Sequence, residues 1–141
     1  MTALPVVGGV MLRSRWTPGS AAGATGSALV SVTDFRISRL RDLPGVYRAG
    51  LTLGRAWPDL PGAVGMWLWT EPLRGRCGSV SIWQDEQALR EFVAWPDHVA
   101  IVRRYRGRGR LRSTTWTTTQ PDPDVWAQAR SYLSGADTQA S

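Results

Sequence analysis

His98 is the only histidine in the 141-residue chain. It is the side chain best suited to move a proton near neutral pH. A neutral imidazole there can serve as a general base, or as an axial ligand to haem iron. Its competing role is a local hydrogen bond at a helix start, with Asp97 beside it. Helical spacing places His98, Ile101, Val102 and Tyr105 on one face, so Tyr105 is read with His98 as the catalytic pair. A lone histidine excludes a multi-histidine metal site. A lone cysteine, Cys77, excludes an internal disulfide and any multi-cysteine site, so no metal centre is expected. No nucleophile-elbow motif surrounds any serine.

Eight tryptophans are many for this length, and four of them, Trp67, Trp69, Trp83 and Trp116, fall on predicted strands. Indoles can line a pocket for a flat aromatic or polyketide-like ligand and orient it through their N–H groups. Core and interface packing is the competing role. Ser79 and Ser81 alternate with Trp83 on one strand face. Their hydroxyls provide the room and polarity that a ligand pocket needs, unless that face is an exposed edge.

All 17 basic residues are arginine, and the net charge is +6. Arg106, Arg108, Arg110 and Arg112 share one face if the chain is extended there. Only Tyr105 interleaves with them and no recognition helix accompanies them, which disfavours nucleic acid. A solvated turn, or arginine–carboxylate pairs across a dimer, fits better.

These residues must be held by a small α+β scaffold. The length suggests one domain with its own core. Residues 28–40 alternate as a strand. Asp42 is a candidate N-cap for a helix over residues 43–57, with Pro44 in its first turn. Residues 63–70 form a strand with two apolar faces: Gly65, Trp67 and Trp69 point one way, and Val64, Met66 and Leu68 the other. Residues 77–83 form the next strand. A helix starting near Gln84 carries Leu89, Phe92 and Val93 and is broken at Pro96. The segment bearing His98 follows, then a strand ending near Thr118 and a helix over residues 125–133. The order is β-α-β-β-α-β, the ferredoxin-like arrangement, with an N-terminal extension and a C-terminal helix. The expected boundaries are an arm and flexible loop at 1–27, with an extended segment over 5–16; a domain at 28–134; and a frayed tail at 135–141. One small domain with two helices covers only one sheet face. The two-faced strand therefore predicts a second layer supplied by a partner subunit, a homodimer. No apolar run is long enough to span a bilayer. The N-terminal arginines follow the apolar run rather than precede it, so a cytoplasmic protein is expected.

The passages VSVTDFRIS, LPGVYRAGLTLGRAWPDLPGAVGMWLW and SVSIWQDEQALREFVAWPDHVAIVRRYR resemble the spheroidene monooxygenase-like proteins over roughly residues 28–118. That family lies within the dimeric α/β-barrel superfamily of antibiotic-biosynthesis monooxygenases. The sharpest matches are Trp83, Asp85, Ala88, Leu89 and Phe92, followed by Pro96 and His98. The resemblance implies a dimeric α/β barrel with a ligand site between the sheet and its helices. In the superfamily's haem-degrading members the iron ligand falls near Val102, which has no ligand atom, whereas spheroidene monooxygenase itself is thought to use haem. The cofactor expected is therefore none or haem, with His98 as the haem ligand in the second case. The function implied is a monooxygenase-like enzyme, or a cyclase or dehydratase, acting on an aromatic, polyene or polyketide-like compound in secondary metabolism. The alternative is a non-catalytic dimeric module that binds a hydrophobic ligand or a partner protein.

Overall fold

Alternation of apolar and polar side chains sets the long strands, and breaks at Gly, Pro and Asp set their ends. The computed structural model describes residues 11–140, with side chains to residue 135. Two short strands, β1 (Leu12–Arg13) and β2 (Thr17–Pro18), precede β3 (Gly26–Ile37). Then follow α1 (Leu43–Gly54), β4 (Ala63–Glu71), β5 (Arg76–Trp83), α2 (Glu86–Ala94), α3 (Pro96–Tyr105), β6 (Gly109–Gln120) and α4 (Val125–Ala140). The strands pair antiparallel in the order β1-β4-β5-β3-β6, with β2 also on β4. The four long strands and the helices between them make the ferredoxin-like α+β fold expected from the sequence.

Local chemistry explains most element ends. Asp85 is extended, with φ −158°, and its carboxylate accepts the Ala88 N–H at 2.9 Å, capping α2. Trp95, held in the extended region by the proline after it, separates α2 from α3. Asp42 does not cap α1 as expected. It sits in a helical conformation within a short 3-10 turn, and its carboxylate accepts Arg108 Nη1 at 3.0 Å. Helix α1 ends at Gly54 rather than near residue 57, and Trp57 turns into the core from a 3-10 turn of its own. The expected loop at residues 17–27 is tied to β4 by the Gly19 N–H to Val64 O at 2.9 Å and the Ala21 N–H to Ala63 O at 2.7 Å. Of the predicted N-terminal arm, residues 1–10 lie outside the described residues. The C-terminal helix does not stop at Leu133 but continues through Ala140.

Each face of the sheet carries a layer of helices, with the helix-side residues of β6 left exposed. On one side α1, α2 and α3 bury Met66, Leu68, Trp83 and Ala88 together with Trp57. On the other, Val125, Ala129 and Leu133 of α4 lie on Val30, Val32, Val80, Ile82 and Trp69. The second layer that the two-faced strand requires is therefore this chain's own α4. The expectation of a partner subunit in that place is corrected, because each fully buried Leu or Val that α4 supplies is worth about 1.5–3 kcal/mol without a second copy. A second correction concerns Val64. A bulge between Ala63 and Gly65 shifts the alternation, so Val64 joins Trp67 and Trp69 on the α4 side rather than Met66 and Leu68. Gly65 is required there, since a Cβ would lie 1.9 Å from the Trp16 ring.

Arg76 fastens the α4 layer. It is 1% exposed. Its Nη2 donates to Asp34 Oδ2 at 2.9 Å and to Leu133 O at 3.0 Å, its Nε to Asp34 Oδ1 at 3.3 Å, and its Nη1 to Glu71 Oε1 at 2.9 Å. The guanidinium also lies 5.3 Å from the Trp69 ring centroid. Breaking this pair strands a buried Asp34 charge. Arg76→Met alone should therefore cost about 3–5 kcal/mol in urea unfolding, and adding Asp34→Leu should recover much of the loss.

Candidate functional site

The helix side of the sheet carries a run of hydroxyls. Register and alternation put Ser31 and Thr33 of β3 beside Ser81 and Ser79 of β5, with Thr115 and Ser113 of β6 across from them. Thr33 Oγ1 and Ser79 Oγ are 3.0 Å apart, and Thr33 Oγ1 also accepts the Ser79 N–H at 2.9 Å. Ser81 Oγ accepts Trp83 Nε1 at 2.9 Å and donates to Ser31 O at 3.4 Å. Ser113 and Thr115 are exposed, so the hydroxyl floor opens to solvent along β6.

Above the β4–β5 half of this floor stands an aromatic cluster. Phe92 is its hub, with centroids 5.1 Å from both Trp57 and Trp83, 6.1 Å from Trp95 and 4.6 Å from His98. Trp57 and Trp83 are fully buried, and among the described residues Trp57 Nε1 is a buried donor with no hydrogen-bond partner. Between α1 and α3 runs an open groove of about 570 Å³. Its walls are Thr52, Leu53, Ala56, Trp95, Ala100 and Ile101, with Arg55 and Asp97 supplying one charge of each sign.

His98 is on α3, which forms one wall of this groove, adjacent in sequence to Asp97 and one helical turn before Ile101. Its Nδ1 is 3.1 Å from Val93 O. That contact favours Nδ1–H and leaves Nε2 as the basic nitrogen. Burial against Phe92 lowers its pKa from the ordinary imidazole value, with the Val93 carbonyl opposing. The ring is therefore neutral at pH 7, as a base requires. His98 lines neither this groove nor the arginine-lined cleft at the far end of the sheet. The Val93 bond orients Nε2 as an iron ligand would need, but no described cavity sets a haem macrocycle against it. Tyr105 is at the other end of α3, about 10 Å along the axis. It packs on α1 so closely that a Cβ on Gly45 would lie 2.8 Å from its hydroxyl. The two residues share a helix face but not a reaction centre.

The four predicted pocket tryptophans are divided by the sheet. Trp83 is on the helix side with Ser79 and Ser81. Trp67, Trp69 and Trp116 are on the α4 side, so the four expected pocket indoles do not share one face. Trp69 is fully buried and donates to Thr33 O at 3.1 Å. Trp116 donates to Gln128 Oε1 of α4 at 2.9 Å. Trp67 packs on Trp16 and Trp126, with Arg13 over both Trp67 and Trp126. Sequence reasoning missed Trp57 and Tyr47 as neighbours of the site, and only the turn before Pro58 hinted that Trp57 leaves its helix. Burial, and then the nearby Cys77, raises the Tyr47 pKa. Burial, helped by Asp34, pushes the Cys77 thiol up to about 12. Among the described residues no three His, Cys, Asp or Glu side chains converge on a metal position, and no helix is long and apolar enough to cross a membrane.

This architecture is the fold of the antibiotic-biosynthesis monooxygenase-type proteins. Two structures show it at nearly full length of the matched chain. SnoaB, a cofactor-independent oxygenase from Streptomyces nogalater, is 20% identical, with 69% of this chain and 98% of that one covered and a TM-score of 0.54. An antibiotic biosynthesis monooxygenase is 16% identical, with 64% and 95% covered and a TM-score of 0.54. A protein of Lactobacillus acidophilus NCFM, provisionally assigned as a monooxygenase, is 12% identical with a TM-score of 0.57. The match takes in 74% of this chain but only half of that protein's length. At these identities the likeness is one of fold. No family model and no curated protein matches the sequence.

Two measurements check the site electrostatics. The folded chain binds fewer protons at His98 than the unfolded chain, whose imidazole has a pKa near 6.5, so stability falls as pH drops below about 6.5. His98→Leu should flatten that part of a urea-midpoint profile while leaving the range above pH 7 parallel to wild type. Cys77 should ignore a thiol reagent at pH 8 in the native protein and react fully in denaturant.

Proposed function

We propose that this chain is a monooxygenase-type enzyme that works without a cofactor on an aromatic, polyene or polyketide-like compound in secondary metabolism. The observation that carries this reading is the half-buried His98, its pKa lowered by burial and its Nε2 left as the basic nitrogen, on the helix that forms one wall of the apolar α1–α3 groove. Its fold is also that of a cofactor-independent oxygenase. The resemblance of the Trp83, Asp85, Ala88, Leu89, Phe92 passage, with Pro96 and His98, to the spheroidene monooxygenase-like proteins supports the same reading.

In this reading an apolar ring system lies in the groove against Trp95 and Ile101. His98 Nε2 removes a proton from an activated CH₂ or phenol of the substrate. The carbanion reduces O₂, one oxygen atom becomes the new carbonyl and the other leaves as water, so the substrate itself supplies the electrons. The buried aromatic cluster keeps the imidazole neutral. Tyr105 shapes the far end by fixing α3 on α1, and Ser79 and Ser81 orient polar groups of a ligand that reaches the sheet through Trp83.

One observation favours a second reading, a non-catalytic module for a hydrophobic ligand. The space between helices and sheet is filled by Trp57, Trp83 and Phe92. Oxygen uptake with an anthrone separates the two. The enzyme reading expects turnover that falls about 10²–10⁴-fold in His98→Ala, with the anthrone still bound. Binding without oxygen uptake in wild type supports the module. Haem titrated into wild type and His98→Ala should give the same spectrum, and a Soret shift confined to wild type would reinstate haem.

A further inference from the structure

The long strands bring three turns together at one end of the sheet. Ile37, the last residue of β3, lies across from Gly109, the first of β6, and Glu71 of β4 lies across from Arg76 of β5. The turn after β3 carries Leu40, the hairpin between β4 and β5 carries Leu73, and the start of β6 carries Leu111. These are the three most exposed large apolar side chains among the described residues, at 60%, 78% and 58%. They have apolar neighbours. A Cβ on Gly75, at the end of the hairpin, would lie 3.2 Å from Leu40 and 3.4 Å from Ile37, and Leu111 lies across from the half-buried Phe35. Arginines crowd the same end. Arg39 and Arg41 flank Leu40, Arg106 lies in the turn before β6, and Arg110 is the second residue of that strand. All four are exposed, and no salt bridge engages them among the described residues. The carboxylates described there are already taken, Asp34 and Glu71 by Arg76 and Asp42 by Arg108.

A single exposed leucine is ordinary, but three at one end, set among guanidiniums without carboxylates, fit a partner that is both apolar and negatively charged. An anionic bilayer surface is such a partner. Apolar side chains on turns enter the boundary between headgroups and acyl chains, while arginine stems lie along them and the guanidiniums meet lipid phosphates. A nucleic acid would use the charge and leave the leucines in water. A folded protein would need an apolar centre cleared of charge, whereas here each leucine has its own turn with arginine beside it or close by. We propose that this end of the sheet docks on a membrane surface rich in anionic phospholipid, with Leu40, Leu73 and Leu111 inserted and Arg39, Arg41, Arg106 and Arg110 at the phosphates. The chain then stands on its strand ends, so both sheet faces reach the surface, Leu111 from one and Arg110 from the other. The surface shares no residue with the walls of the α1–α3 groove, so it stands or falls independently of the proposed reaction.

Sedimentation of the full chain with vesicles tests this. Vesicles of mixed phosphatidylglycerol and phosphatidylcholine should carry the protein down, and phosphatidylcholine alone should leave most of it in solution. Added sodium chloride should weaken the anionic binding. Arg39→Gln and Arg41→Gln should each lower partitioning about fivefold. Leu73→Gln should lower it about tenfold at fixed salt, a loss that charge attraction alone does not produce. Leu73 is the most exposed of the three leucines, so this variant should keep the wild-type circular dichroism and melting curve. Leu51→Gln, an exposed position towards the other end of α1, should partition as wild type does. Three results would overturn the proposal: equal sedimentation with and without phosphatidylglycerol, partitioning unchanged in a Leu40→Gln, Leu73→Gln double variant, or duplex DNA bound more tightly than the anionic vesicles.

Discussion

The placement of α4 hangs on one guanidinium. Arg76 reaches Asp34 on β3, Glu71 on β4 and the Leu133 carbonyl on α4, and it rests on Trp69. A buried ion pair contributes little net stability against a well-packed apolar substitute. Its worth here lies in uniqueness. The Val125, Ala129 and Leu133 stripe could slide along an apolar sheet at small cost, but only one position lets Leu133 O accept from Arg76 Nη2. The greasy contact provides the attraction and the polar contact provides the register.

That arrangement divides labour between the two sheet faces. The α4 side is a locked core with Trp69 and Trp116 held by hydrogen bonds, and it carries the arginine-lined cleft only at its end. The helix side keeps hydroxyls on the floor, a buried indole donor with no partner among the described residues, and a half-buried imidazole on the helix that walls a groove. Polar groups under imperfect cover cost stability, so the side that holds them is the side where binding or chemistry gains from them.

Much of the scaffold was legible in the residue pattern. Apolar alternation delivered the four long strands, and Asp85 and Pro96 marked the helix ends, because these signals are local. The errors arose where distant residues compete. Asp42 looked like a cap until Arg108 claimed its carboxylate, 66 residues away. Val64 changed sides because a bulge inserts one residue, which alternation cannot reveal. The two apolar faces of β4 were read correctly, but their cover was assigned to another subunit. A short helix after Pro121 and Pro123 gives no sign of where it docks. For the candidate site, Ser79, Ser81 and Trp83 fell together as alternation requires. Trp67, Trp69 and Trp116 did not, since indoles alone do not say which face meets the helices.

The lateness of α4 has a consequence in time. It is synthesised after every strand it covers, and β6, the partner of β3 along its full length, emerges only shortly before it. While the chain grows, Val30 and Val32 on β3, and later Val80 and Ile82 on β5, form an apolar strip with no partner of their own. A nascent chain in that condition is sticky, and the fold closes only when its most sequence-distant pieces meet. The sheet face that is driest in the finished molecule is thus the one left wet longest while it is made.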